Sequence, residues 1–200
     1  MPYPVQQYSR ILNRFCVASQ VFTPDEVERI LDFEDLQKFQ RGAVGSEHKS
    51  GKVDKNVRNS EIMWLYHDQN SDWLYSKFSN VVSSINYDHF MFDVDSFDNF
   101  QYTKYNAKDK QHYDWHVDAS NLSTPYERKI SATILLTDPS KYEGGEFECV
   151  MNGRVDDPVV LKPNAGDIVF FASYMPHRVR PVTSGIRKSL VCWVMGKNSW

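Results

Sequence analysis

The chain has 200 residues, with 23 Lys and Arg against 26 Asp and Glu and a formal net charge of −3. That length suits one domain with a full core, the 41% apolar and 24% charged content excludes wholesale disorder, and the near-neutral balance leaves no electrostatic footprint for a nucleic-acid partner. Aromatic content is high, at 12 Phe, 11 Tyr and 5 Trp, and such residues favour strands.

The cysteines, Cys16, Cys149 and Cys192, form no Cys-x-x-Cys pair, which argues against a zinc knuckle or redox motif. An odd, scattered set fits buried free thiols in a reducing compartment. The opening residues 1–7 lack a basic flank and an apolar run, and no stretch reaches membrane-spanning length. A soluble, cytoplasmic protein without a membrane partner is expected.

Residues 1–22 carry loosely spaced apolar positions ending in Val21 and Phe22, read as a strand entering a sheet. Thr23-Pro24-Asp25-Glu26 predicts a helix start: Thr23 caps, Pro24 suits the first turn, and Glu26 completes a capping box. Val27, Ile30, Leu31 and Phe33 to Leu36 supply its apolar stripe. Residues 40–56 are polar and Gly-punctuated, which makes either a lid or a plain surface loop. Residues 57–65 read as a strand. Residues 72–85 read as a second helix, with Leu74, Phe78, Val81, Val82 and Ile85 facing inward.

Beyond Tyr87 the pattern changes to short strands and turns. Strands are expected over 93–105, 113–118, 130–136, 144–150, 158–161, 167–172, 177–181 and 188–194. Their even spacing implies a sandwich or barrel. The expected fold class is therefore α+β and β-rich: a single 1–200 domain with a double-stranded β-helix (jelly roll) core over 90–200. Residues 1–89 give helical support and substrate-side elements.

The chemistry begins at His116-Val117-Asp118. On a strand, positions i and i+2 share a face, so an imidazole and a carboxylate stand side by side. His177 opens another predicted strand. Two His and one carboxylate on a β scaffold make the facial triad of non-heme Fe(II) oxygenases, which leaves positions free for substrate and O2. The dipeptide spacing carries little by itself, and its neighbours add weight. If the chain turns at Thr183-Ser184-Gly185, Arg187 lies on a strand next to that of His177. An Arg fork binds a carboxylate in bidentate fashion, and Ser189, two residues on, can donate to the same oxygens.

These segments together resemble the Fe(II)/2-oxoglutarate dioxygenases, specifically the PKHD-type and prolyl 4-hydroxylase-like branch. The resemblance rests on Tyr113-Asp114-Trp115-His116-Val117-Asp118, on Arg128 to Leu136, and on Tyr142-Glu143-Gly144-Gly145-Glu146-Phe147. It continues through Pro163 to Phe171 and Pro176 to Leu190. It implies that His116, Asp118 and His177 bind Fe(II), and that Arg187 pairs with the far carboxylate of 2-oxoglutarate. Tyr105 matches a tyrosine that contacts the co-substrate. Leu135 stands where some prolyl hydroxylases carry another tyrosine, which turns attention to Tyr105, Ser189 or Thr133 as helpers. Trp193 is either an aromatic near the metal or a core tryptophan. Arg58 and Trp64 resemble a pair at the substrate entrance, and plain structural roles stand equally open.

The implied reaction couples oxidative decarboxylation of 2-oxoglutarate to hydroxylation of an unactivated C–H bond by O2, giving succinate and CO2, with ascorbate as reductant. The implied substrate is a prolyl residue in a peptide or protein. A free amino acid or other small molecule is the second enzymatic reading, and a catalytically inactive jelly-roll binding module the reading of another class.

Overall fold

The computed structural model describes residues 15–36, 38–43, 54–119, 126–151 and 153–197. In chain order the strands are β1 (Phe15–Ala18), β2 (Gln40–Arg41), β3 (Arg58–Asn59), β4 (Glu61–Leu65), β5 (Ser96–Phe97), β6 (Phe100–Asn106) and β7 (His112–His116). There follow β8 (Tyr126–Leu135), β9 (Tyr142–Gly144), β10 (Phe147–Cys149), β11 (Val159–Leu161), β12 (Ile168–Ala172), β13 (His177–Val179) and β14 (Val182–Lys197). Two α-helices, α1 (Pro24–Leu31) and α2 (Asp72–Ile85), precede β5.

The strands make two antiparallel sheets. The major sheet runs β1-β12-β8-β14-β6-β4-β2, with β5 and β9 also paired to β14, and the minor sheet runs β11-β10-β13-β7-β3. The jelly roll expected from the sequence is therefore present. Period-two alternation loads both faces of the major sheet. Ile130, Ala132 and Ile134 of β8, Ile168 and Phe170 of β12, and Leu190, Cys192 and Val194 of β14 pack with Leu74, Phe78 and Val82 of α2. The intervening residues turn towards the minor sheet, where Tyr105, Val169 and Phe171 meet Phe147, Cys149 and Val179. Full burial of each such side chain stabilises by about 1.5–3 kcal/mol.

The first helix starts as its sequence dictates. Thr23 Oγ1 accepts from Glu26 N at 3.3 Å, and Glu26 Oε2 accepts from Thr23 N at 2.8 Å. Lys77 of α2 donates to Glu26 at 2.7 Å and ties the helices together. The apolar stripe ends early. The chain tightens into a 3-10 turn over Asp32–Asp35, Phe33 points inward, and Leu36 is left 67% exposed.

Three expectations are corrected. The stretch 57–65 is two strands that part at Ser60: β3 joins β7 in the minor sheet and β4 joins β6 in the major one. The strand expected over 113–118 ends at His116, which leaves Asp118 beyond it. The last strand begins at Val182, so Thr183-Ser184-Gly185 lies within β14, paired to β9, with Gly185 at φ +69°. Arg187 therefore sits on the sheet opposite His177. Of the loop over 40–56, residues 40–41 form β2, and the reading of a lid concerns 44–53, which lie outside the described residues. Among the described residues no helix is long and apolar enough to cross a membrane.

Candidate metal and co-substrate site

His116 and His177 are direct partners in the β7–β13 ladder. Their ring centroids lie 4.1 Å apart. Each ring is fixed through its Nδ1: His116 Nδ1 meets Asp114 O at 2.7 Å, and His177 Nδ1 meets Met175 O at 2.9 Å. A carbonyl only accepts, so both Nδ1 atoms carry the hydrogen and both Nε2 lone pairs are free to ligate. The Nε2 atoms lie 3.6 and 3.4 Å from the Asp118 carboxylate oxygens. One ligand atom from each of the three residues falls within 4.8 Å of the others.

Asp118 reaches this position from the chain after β7. Its N–H and that of Ala119 both donate to Ser173 O at 2.9 Å. Ser131 Oγ donates to Asp118 Oδ2 at 2.8 Å. Burial opposes ionisation of Asp118, and the neighbouring imidazoles of His177 and His116 outweigh it, helped by the Ser131 hydroxyl, so its pKa is lowered. Burial, then the neighbouring His177, pushes His116 down to about 3. At neutral pH His116 is thus a neutral imidazole beside a carboxylate. That nitrogen and oxygen donor set fits a divalent iron ion. Cys149, opposite His177 in β10, is held as a thiol: burial, then Asp118, pushes its pKa up to about 12.

Across the cavity Arg187 lies opposite Tyr105 in the β14–β6 ladder. It is 2% exposed, its Nη1 donates to Ser189 Oγ at 3.1 Å, and its Nε has no partner. No carboxylate pairs with it among the described residues. A buried cation with an unmet donor fits an incoming anion, and the distal carboxylate of 2-oxoglutarate has the right charge and fork geometry. Ser189 accepts from Arg187 and keeps its own hydrogen for that anion. Burial raises the Tyr105 pKa, so its phenol stays a donor. Gly145 makes room for this arginine: a Cβ there would stand 2.9 Å from Arg187 Cδ.

Sequence reasoning missed Tyr113. Strict alternation puts residues 113 and 116 on opposite faces, but the β7–β13 register slips between His177 and Val179. This bulge turns Tyr113 onto His116, with centroids 3.5 Å apart and planes 12° off parallel. Arg58 lies opposite Tyr113 in β3 and stacks over its ring at 4.6 Å. Ser131 and Ser173 were also missed, because their role rests on contacts 13 and 42 residues apart. Trp193 is 6% exposed and packs on Trp64 at 6.1 Å, while Arg128 covers it at 3.8 Å. Arg58, Trp64, Tyr105, Thr133 and Trp193 all line one cavity of about 280 Å³ with the His-Asp-His cluster and Arg187. His112 is turned away, to Lys110 O and Asn56 O.

Known proteins resemble this chain to differing extents. The PKHD-type hydroxylase YbiX of Shigella sonnei (strain Ss046) is 28% identical over 171 residues, which cover 82% of this chain and 75% of that protein. The crystal structure of a Pseudomonas putida prolyl-4-hydroxylase superposes with a TM-score of 0.70 at 19% identity, over 93% of this chain and 94% of that one. A prolyl hydroxylase from Trichoplax adhaerens, solved with a hypoxia inducible factor peptide fragment, gives 0.74 at 19% identity over 91% and 83%. At those identities the two structures speak for the fold. Residues 100–195 match the 2OG-Fe(II) oxygenase superfamily, a span from the first residue of β6 almost to the end of β14. Over that span the chain is similar to the superfamily, and it is a 2-oxoglutarate-dependent dioxygenase.

Proposed function

We propose that this enzyme hydroxylates a prolyl residue in a peptide or protein. The observation that carries the reading is the shape of the cavity. Its lining includes buried Arg187, the His-Asp-His cluster, and exposed Gln40 and Arg41 on the edge strand β2. A chain can lie across such a mouth with one side chain inserted. The relatives named as PKHD-type and prolyl hydroxylases support the same reading.

In this reading His116 Nε2, His177 Nε2 and the Asp118 carboxylate hold Fe(II). Arg187 and Ser189 receive the distal carboxylate of 2-oxoglutarate, and Tyr105 and Thr133 stand beside it. Bound iron supplies O2 activation that couples loss of CO2 from 2-oxoglutarate to oxygen insertion into a C–H bond, leaving succinate. The protein orients and excludes water. Tyr113 and Phe171 pack on the imidazole rings of His116 and His177. Arg58 and Trp64 border the substrate. Ascorbate serves as the reductant that keeps iron ferrous. Residues 1–200 act as one cytoplasmic domain, with 90–200 as the catalytic core and 1–89 as its support and substrate side.

A cavity of about 280 Å³ is also close to the size of small-molecule sites, which favours free amino acids as the second reading. The test is a panel of proline-containing peptides and free proline with Fe(II), 2-oxoglutarate and O2. A gain of one oxygen on peptidyl proline, matched by succinate and lost in Asp118→Ala, is expected. Turnover of free proline alone selects the second reading.

A further inference from the structure

Charge in this cavity does not close evenly. A ferrous ion and Arg187 are positive, and Asp118 with the two carboxylates of 2-oxoglutarate matches them in full. Two other cavity arginines have an aspartate nearby: Arg41 lies 3.8 Å from Asp109, and Arg128 lies 3.8 Å from Asp98. Arg58 has no carboxylate partner among the described residues.

Arg58 is 7% exposed and lines the cavity. Its Nε donates to Ser60 Oγ at 2.9 Å, its Nη1 to Ala43 O at 3.3 Å and its Nη2 to Gln101 Oε1 at 2.6 Å. All three acceptors are neutral. A guanidinium has five N–H donors, so these bonds leave two unused. Desolvating a cation against neutral partners is costly. The Tyr113 ring offsets part of this, and that ring separates Arg58 from His116 by a single layer.

On the reading that the substrate is prolyl, we propose that it carries a carboxylate which pairs with Arg58 when the target carbon is at the metal. The separation by one ring puts that carboxylate within about one or two residues of the target along an extended chain. Two sources supply the same chemistry: an Asp or Glu side chain next to the proline, or the α-carboxylate of a terminal or free proline. Either completes the charge balance and uses the two idle N–H groups as a fork.

The test is calorimetric titration of the protein loaded with Mn(II) and 2-oxoglutarate. The ligands are blocked tetrapeptides Gly-Asp-Pro-Gly and Gly-Asn-Pro-Gly, their Pro-Asp and Pro-Asn counterparts, and a peptide ending in proline as acid and as amide, with free proline. At least one acid should bind about tenfold or more tightly than its amide, and which one identifies the source. In Arg58→Gln that preference should fall below about twofold, with Mn(II) affinity retained. Equal binding of acid and amide by the wild type, a preference that survives in Arg58→Gln, or no binding by any acid overturns the inference. The wild-type comparison stands even if the variant fails to fold. Equal oxygen gain on acid and amide peptides under Fe(II) and O2 overturns the inference and leaves the prolyl reading. Acid-selective binding with no oxygen gain on any proline does the opposite.

Discussion

Ser131 gives its only hydroxyl hydrogen to Asp118 Oδ2 at 2.8 Å, so the 2.9 Å contact between Ser131 and Ser173 is donated by Ser173. Both serines are fully buried. The pair forms a relay that turns the carboxylate towards the two imidazoles. Residues that orient a metal ligand are typically worth 10–100-fold in metal affinity. Ser131→Ala should therefore weaken Mn(II) binding by about tenfold, read by titration without turnover. Affinity within twofold of wild type would remove the relay from the site.

Gly145 has φ +65°, and a Cβ there would stand 2.9 Å from both Arg187 Cδ and Val182 Cγ2. Gly145→Ala should displace the arginine into the cavity. We expect KM for 2-oxoglutarate to rise by about tenfold or more, the order of one lost charge-assisted hydrogen bond. Mn(II) affinity should change little, because the triad lies on other strands. Steady-state kinetics at saturating substrate check this. An unchanged KM means that Arg187 adapts.

Glu34 sits under Tyr102, Lys104 and Lys188 on the outer face of the major sheet, with Lys104 Nζ at 3.0 Å and Lys188 also bonded to it. Burial raises its pKa, but the two lysines outweigh burial and lower it. A carboxyl whose folded pKa is below its unfolded one contributes stability above the unfolded value and loses it as pH falls through the folded value. Glu34→Gln should cost about 1–3 kcal/mol at neutral pH. The gap to wild type should shrink between neutral pH and an acid pH below the lowered folded value. Denaturant melts at both pH values measure this, and a gap that is constant with pH would contradict it.

Phe78 is fully buried between α2 and the sheet, edge-on to Phe100 at 5.1 Å and stacked on Phe170 at 6.1 Å. Phe78→Ala should cost about 3–5 kcal/mol, seen as a lower urea midpoint with the slope preserved. Metal affinity of the folded fraction should persist, since the site lies on the other face of the sheet.

Much of this was legible from local pattern. The Thr23 capping box, the inward face of α2 and the strand 130–136 are set by spacing within a few residues. His116, Asp118, His177 and Arg187 stand in short motifs, and the structure brings them to one cavity. The illegible parts depend on sheet geometry. Nothing near Ser60 announces that consecutive strands enter different sheets. The slip opposite His177 that brings Tyr113 onto His116 arises from pairing with a strand more than sixty residues on. The side-by-side argument named His116 and Asp118, which the structure does bring together, but by another route, because β7 stops at His116 and Ser173 O holds the backbone of Asp118 and Ala119.

The alternation along β6, β8 and β14 has a consequence for how such an enzyme changes over generations. Phe100, Tyr102, Ala132, Leu190 and Cys192 hold the helices, while Gln101, Thr103, Thr133, Ser189 and Val191, each an immediate neighbour, border the cavity. A substitution in the second set changes the cavity wall, on the face of the strand turned away from the packing of the first. The cavity wall can therefore be remodelled at alternate positions of the same strands while the scaffold stays fixed.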